Sequence, residues 1–157
     1  MSPFSKVGTV MKMPPFRTLI VEDHEGFSRF MSLTLQEQAQ CQVISQVSDG
    51  LQAIEKAEQL EPDLIVLDLG LPKLNGMEVA RRLSKICPDA KMLIVSQDSS
   101  SDIVQAVLRI GVHGYLLKSD AADLPLAVDA ILHDTVFVSP HLNGITRRST
   151  GPNSSSN

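Results

Sequence analysis

Five residues carry the chemistry that the sequence advertises: the acidic pair Glu22-Asp23, Asp68, Ser96 and Lys118. Each directly follows, or closes, a short apolar run that reads as a strand. Three carboxylates, a hydroxyl and an ammonium are thereby delivered to one region. Carboxylates so gathered repel, by roughly 4 kcal/mol for unit charges about 4 Å apart at an effective dielectric near 20. Lys118, a hard divalent cation, or both must relieve that repulsion. Magnesium suits such oxygen ligands and often bridges to phosphate. The set is suited to phosphoryl transfer onto a carboxylate, with Asp68 attacking in line while metal and lysine neutralise the phosphoryl oxygens.

The elements that must position these residues follow from apolar periodicity. Strands are expected at 18–21, 43–47, 64–67, 92–95 and 115–117. Three of these are nearly continuous apolar runs, as for strands covered on both faces. The 43–47 run carries Ser45 and Gln46 and reads as an edge. Between strands lie amphipathic stretches: Phe27, Phe30, Met31, Thr34 and Leu35 repeat at helical spacing, as do Val79, Ala80, Leu83, Ile86 and Cys87. Glu61-Pro62 and Cys87-Pro88 close helices, because the residue before proline is pushed out of the α region. Asn75 is placed to cap the helix beginning near Gly76, and a last helix is expected over 123–133. Alternating strands and helices build a parallel sheet with helices on both faces. Ligands then bind beyond the carboxyl ends of its strands, where strand order reverses.

Totals agree with one ordinary domain. The chain has 157 residues, 43% of them hydrophobic and 20% charged, enough to bury a core without staples. A net charge of -4 argues against non-specific nucleic-acid binding, which needs a basic surface. Cys41 and Cys87 make neither a disulfide framework nor a metal set and read as small buried hydrophobes. His24, His113, His133 and His141 have no ligand spacing, and His24 reads as a surface residue at the mouth of the site. With no span or signal peptide evident, a cytoplasmic location is expected. The boundaries read as a flexible extension over 1–15, a folded domain over 16–140 and a disordered polar tail over 141–157.

Glu22-Asp23, Asp68, Ser96 and Lys118, with Leu71-Pro72 and Gly76 after the acceptor, resemble the receiver domain of bacterial two-component response regulators over residues 17–139. The run Gly111-Val112-His113-Gly114-Tyr115-Leu116-Leu117-Lys118, with Val21-Glu22-Asp23-His24, is most similar to the NarL/FixJ-like branch, which usually carries a C-terminal helix-turn-helix. The resemblance implies a flavodoxin-like (CheY-like) doubly wound, five-stranded parallel sheet in the order 2-1-3-4-5, in a single domain. It implies that Asp68 is the phospho-acceptor. Magnesium is then held by Asp23, Asp68, the backbone carbonyl of Gly70 and, through water, Glu22. Lys118 and Ser96 engage the phosphoryl group, and Tyr115 is an aromatic switch that turns inward as Ser96 is drawn toward the phosphate. The implied partners are a sensor histidine kinase or phosphotransfer protein, and a second copy of the chain through the last helix and its preceding strand.

The sequence departs from the family at two places. Ser119 follows Lys118 where many receivers have proline after a cis bond, and Gly70 lacks the larger side chain often found two places after the acceptor, opening a water path to it. Singly, each residue has a plainer reading: a solvated acidic turn, a capping aspartate, a loop serine, a surface lysine, a half-buried core tyrosine. An enzyme of the haloacid-dehalogenase type would want a second aspartate where Gly70 stands, so no enzyme is expected. A phosphate-independent receiver-like module usually lacks the acceptor, the acidic pair or the lysine. Direct DNA binding by this chain is not expected either, since Arg147 and Arg148 alone make no binding surface; a DNA-binding regulator is reached only if the chain is a truncated piece of one.

Overall fold

A computed structural model describes residues 15–142. Its strands are β1 (Phe16–Val21), β2 (Cys41–Val47), β3 (Leu64–Asp68), β4 (Lys91–Ser96), β5 (Gly114–Leu117) and β6 (Phe137–Val138). Its helices are α1 (Glu25–Gln36), α2 (Gly50–Leu60), α3 (Gly76–Ile86), α4 (Ser101–Ile110) and α5 (Leu124–Leu132). Short 3-10 turns occupy Lys118–Asp123 and Pro140–Leu142. All strands are parallel, in the order β2-β1-β3-β4-β5-β6. The expected order 2-1-3-4-5 is therefore present, with β2 at the edge, and the expectation of five strands is corrected to six. β6 escaped the sequence because two residues carry no periodicity.

The sheet divides the core in two, as strand alternation requires. Leu19, Val21, Ile65, Leu67, Met92, Ile94, Tyr115 and Leu117 face the side covered by α2, α3 and α4. Ile20, Leu64, Val66, Leu93, Val95 and Leu116 face the side covered by α1 and α5. The central strands β3 and β4 are buried on both faces, which is why their apolar runs are unbroken.

Local rules set the helix ends. Asp49 caps α2 by accepting from the Gln52 N–H at 2.9 Å, and Asn75 caps α3 through the Met77 N–H at 2.7 Å. Helix α2 stops at Leu60, with Glu61 left-handed at φ 49° ahead of Pro62. Gly111 takes φ 102° to end α4, a conformation most side chains resist. Cys41 and Cys87 are free and buried, and burial pushes both thiols up in pKa.

After α5 the chain turns back along β5. The Ser139 N–H donates to the Tyr115 carbonyl at 2.9 Å, the Leu117 N–H donates to Ser139 Oγ at 2.8 Å, and Leu142 is 1% exposed in the same core cluster as Tyr115. Packing thus continues through Leu142. Of the extension expected over 1–15 and the tail expected over 141–157, residues 1–14 and 143–157 lie outside the described residues, Arg147 and Arg148 among them. No described helix is long and apolar enough to cross a membrane.

Candidate functional site

Because every strand runs the same way, the residues that close β1, β3, β4 and β5 emerge at one edge of the sheet. Asp68 ends β3, Ser96 ends β4, Glu22-Asp23 follow β1 and Lys118 follows β5. They line one cleft of about 700 Å³, together with His24, Phe27, Leu69, Gly70, Asn75, Met77, Gln97, Asp98 and Ile103. Ligand oxygens of Glu22, Asp23 and Asp68 all lie within 4.8 Å of one another. Glu22 and Asp68 are buried, at 2% and 4% exposure, whereas Asp23 faces solvent.

Lys118 is the counter-charge. Its Nζ lies 3.1 Å from each Glu22 oxygen, hydrogen-bonding Oε2, and 3.5 Å from Asp68 Oδ2. Glu22 Oε2 also accepts the His24 backbone N–H at 3.0 Å. Burial, and then the Asp68 charge, raise the Glu22 pKa above its usual value, against the lowering hydrogen bonds from His24 and Lys118. Glu22 Oε1 is buried and receives no hydrogen bond. Its close partner is the Lys118 charge at 3.1 Å. An all-oxygen, carboxylate-rich set of this spacing fits a hard divalent cation, and Glu22 Oε1, held by the Lys118 charge but by no hydrogen bond, has room to accept one from a water of such an ion.

Around the acceptor position the loop is tightly built. The Gly70 N–H donates to Asp68 Oδ1 at 3.0 Å. A Cβ on Gly70 would stand in ordinary contact with the acceptor carboxylate, 3.7 Å from Asp68 Oδ1 and 3.9 Å from Oδ2. A Cβ on Gly76 would lie 2.3 Å from the Leu69 carbonyl oxygen, which explains glycine there. Lys73, at φ 72°, pins the loop by pairing with Asp49 at 3.3 Å.

Ser96 and Tyr115 are joined through one residue. Ser96 Oγ accepts the Asp98 N–H at 3.0 Å, and the Tyr115 hydroxyl donates to the Asp98 carbonyl at 2.6 Å. Tyr115 is wholly buried, and burial is the main cause of its raised pKa. The ring is thus buried in this structure, with its hydroxyl held by that bond to Asp98. No peptide among the described residues is cis, so Lys118–Ser119 is trans.

The remaining histidines behave as ordinary side chains. His24 is exposed at the cleft mouth and caps α1, with Nδ1 accepting the Phe27 N–H at 3.0 Å. His113 Nδ1 accepts the Met92 N–H at 3.0 Å. His133 and His141 sit beside Asp129 and Asp120. Sequence reasoning missed Phe27, whose ring lies under the Lys118 ammonium, and Asp98, whose backbone links Ser96 to Tyr115. By spacing alone Phe27 reads as part of the α1 apolar stripe; its position in the first turn after Asp23 is the signal that sets it apart.

The response regulator receiver domain family matches residues 18–129. The chain belongs to that family. It is 34% identical over 123 residues to the transcriptional regulatory protein DegU of Brevibacillus brevis, covering 78% of this chain and 52% of DegU. It is 31% identical over 115 residues to the transcriptional regulatory protein LiaR of Bacillus subtilis, covering 73% of this chain and 54% of LiaR. This receiver thus spans about half the length of the curated relatives it matches. Among solved structures, a LuxR-family two-component response regulator from Aurantimonas sp. SI85-9A1 superposes with a TM-score of 0.76 at 27% identity, covering 87% of this chain and 99% of that one. The isolated receiver of RcsB from Salmonella enterica, solved with a phosphomimetic, has the same fold at 20% identity and a TM-score of 0.79, covering 83% of this chain and 98% of that one.

Proposed function

We propose that this receiver is a phosphorylation-dependent switch of a two-component phosphorelay, with Asp68 accepting a phosphoryl group from a sensor histidine kinase or phosphotransfer protein. The observation that carries the proposal is the convergence of buried Asp68, buried Glu22 and Lys118 in one cleft beside exposed Asp23. A carboxylate oxygen of Asp68 forms the new bond to phosphorus as the donor's phosphorus–nitrogen bond breaks, leaving the electron pair on the imidazole. Magnesium, when bound, supplies charge neutralisation for the transferred group. Asp23, Asp68 and the Gly70 carbonyl are the proposed direct ligands, with Glu22 acting through water. Lys118 pairs with the transferred group, and Ser96 hydrogen-bonds to it.

The new charge competes for Ser96 Oγ, which now accepts from Asp98, and so disturbs the residue that holds the Tyr115 hydroxyl. That is a local charge event biasing α4, β5 and α5. A shift from nearly all inactive to nearly all active needs about 5.5 kcal/mol of differential stabilisation, of the order that one metal bridge and several charge-assisted hydrogen bonds provide. Relatives bearing names of transcriptional regulators support control of transcription as the eventual output, exerted from a cytoplasmic protein with a second copy as one partner. DNA contact is proposed for parts of such regulators outside this receiver.

The test is incubation with a small acyl-phosphate donor and magnesium, read by intact mass, with Asp68→Ala alongside. An acid-stable, base-labile gain of one phosphoryl group, dependent on magnesium and lost in the variant, is the expected result. No gain in folded wild-type protein refutes the proposal in favour of a phosphate-independent interaction module.

A further inference from the structure

Lys118 is held on three sides, and the third is aromatic. Its Nζ sits 4.8 Å from the centroid of the Phe27 ring, while the Glu22 oxygens lie at 3.1 Å and Asp68 Oδ2 at 3.5 Å. The ring is itself fixed. Phe27 is half-buried, packs against the core between the sheet and α1, and stacks on Phe30 at 5.7 Å between centroids. Its backbone N–H is capped by His24 Nδ1, and the His24 backbone N–H binds Glu22 Oε2. The segment that supplies the acidic pair therefore also places the ring.

The distances expose a conflict that the ring resolves. Glu22 is nearer to the ammonium than Asp68 is, and its buried carboxylate draws Lys118 away from the acceptor. A further carboxylate on the open side would hold the lysine but compete with an incoming phosphoryl group for its charge. An aromatic face attracts a cation through its quadrupole while carrying no net charge and accepting no strong hydrogen bond. We infer that Phe27 is a positioning residue for phosphoryl transfer: its ring keeps the Lys118 ammonium over Asp68 with its N–H groups available to the transferred group. The inference rests on the reading of Asp68 as phospho-acceptor.

Phe27→Leu keeps an apolar side chain and removes the ring face; Phe27→Tyr keeps the face. In the wild-type protein the ε-methylene protons of Lys118 should show an upfield ring-current shift by NMR, retained in Phe27→Tyr and lost in Phe27→Leu. With a small acyl-phosphate donor and magnesium, Phe27→Leu should take the phosphoryl group roughly three- to thirtyfold more slowly. Phe27→Tyr should recover most of the rate. In a Lys118→Ala background Phe27→Leu should cause no further slowing, because the effect passes through the lysine. Equal rates in wild type and Phe27→Leu, an unshifted Lys118 resonance in wild type, or undiminished slowing without Lys118 overturn the inference alone. Failure of wild type itself to take the phosphoryl group overturns the acceptor reading beneath it, an outcome to which the NMR comparison is indifferent.

Discussion

Replacing Gly76 with alanine tests how rigidly the acceptor loop is seated. The ideal Cβ falls 2.3 Å from the Leu69 carbonyl oxygen, 2.5 Å from its Cα and 2.7 Å from its carbonyl carbon. Ordinary contact begins near 3.4 Å, so the Leu69 backbone must retreat by about 1.1 Å, the difference between 3.4 and 2.3 Å. Gly76 does not itself adopt a positive φ; alanine suits its backbone, and the whole effect is steric. Overpacking of this kind costs roughly 1–3 kcal/mol. Alanine returns at most about 1 kcal/mol in helix propensity, and less than that at the first residue of α3. A net loss of about 1–2 kcal/mol is expected by urea unfolding. Function should suffer more, because Leu69 lies between Asp68 and the Gly70 N–H that orients its carboxylate. A displacement near 1 Å at a reacting group costs on the order of 100-fold in rate, measurable as slowed phosphorylation by a small acyl-phosphate donor. Gly76→Ala with wild-type stability and rate refutes the steric reasoning. Destabilisation without slowing refutes the link from Leu69 to Asp68.

Three further outcomes are expected. Gly70→Met places a side chain from 3.7 Å outward over Asp68 Oδ1 and should lengthen the phosphorylated lifetime about fivefold, equivalent to about 1 kcal/mol in barrier; unchanged decay of the phosphorylated mass would remove the idea of a water path there. Burial holds the His113 imidazole below its usual pKa of 6.5, with the Lys91 charge adding to the effect. An unfolded chain therefore takes the proton first, and stability should fall as pH drops below about 6.5, by at most about 1.4 kcal/mol per unit, until the folded-state pKa is passed. His113→Gln retains an acceptor for the Met92 N–H and should flatten that part of the curve of urea midpoint against pH; an unaltered slope contradicts the assignment. Ser139→Ala strands the Leu117 N–H and should cost about 1–3 kcal/mol by urea unfolding, whereas a neutral result means that solvent replaces the hydroxyl.

The site was legible because its residues stand at the ends of buried strands. The apolar run 64–67 stops at Asp68, and 92–95 stops at Ser96, so sequence position alone says which sheet edge they share. The edge character of β2 was legible for the same reason, in the polar Ser45 and Gln46. What escaped had no local signature. Phe27 obeys the helical spacing of a core residue and looks no different from Phe30 until Lys118 arrives from β5. Asp98 acts through its backbone, which every residue possesses. β6 is specified by the Phe137 and Ser139 N–H groups donating to the His113 and Tyr115 carbonyls, a tertiary preference that outweighs the weak propensity of two residues.

The mooring of Ser139 at Leu117 has one more consequence. Leu117 immediately precedes Lys118, so the residues leaving the fold share a hydrogen bond with the base of the ammonium's own tether. The Ser139 hydroxyl thus anchors the backbone one residue before the ammonium's own, inside the core, while the ammonium itself reaches into the cleft. The chain's return along β5 and the chemistry of the cleft therefore meet within one residue of each other.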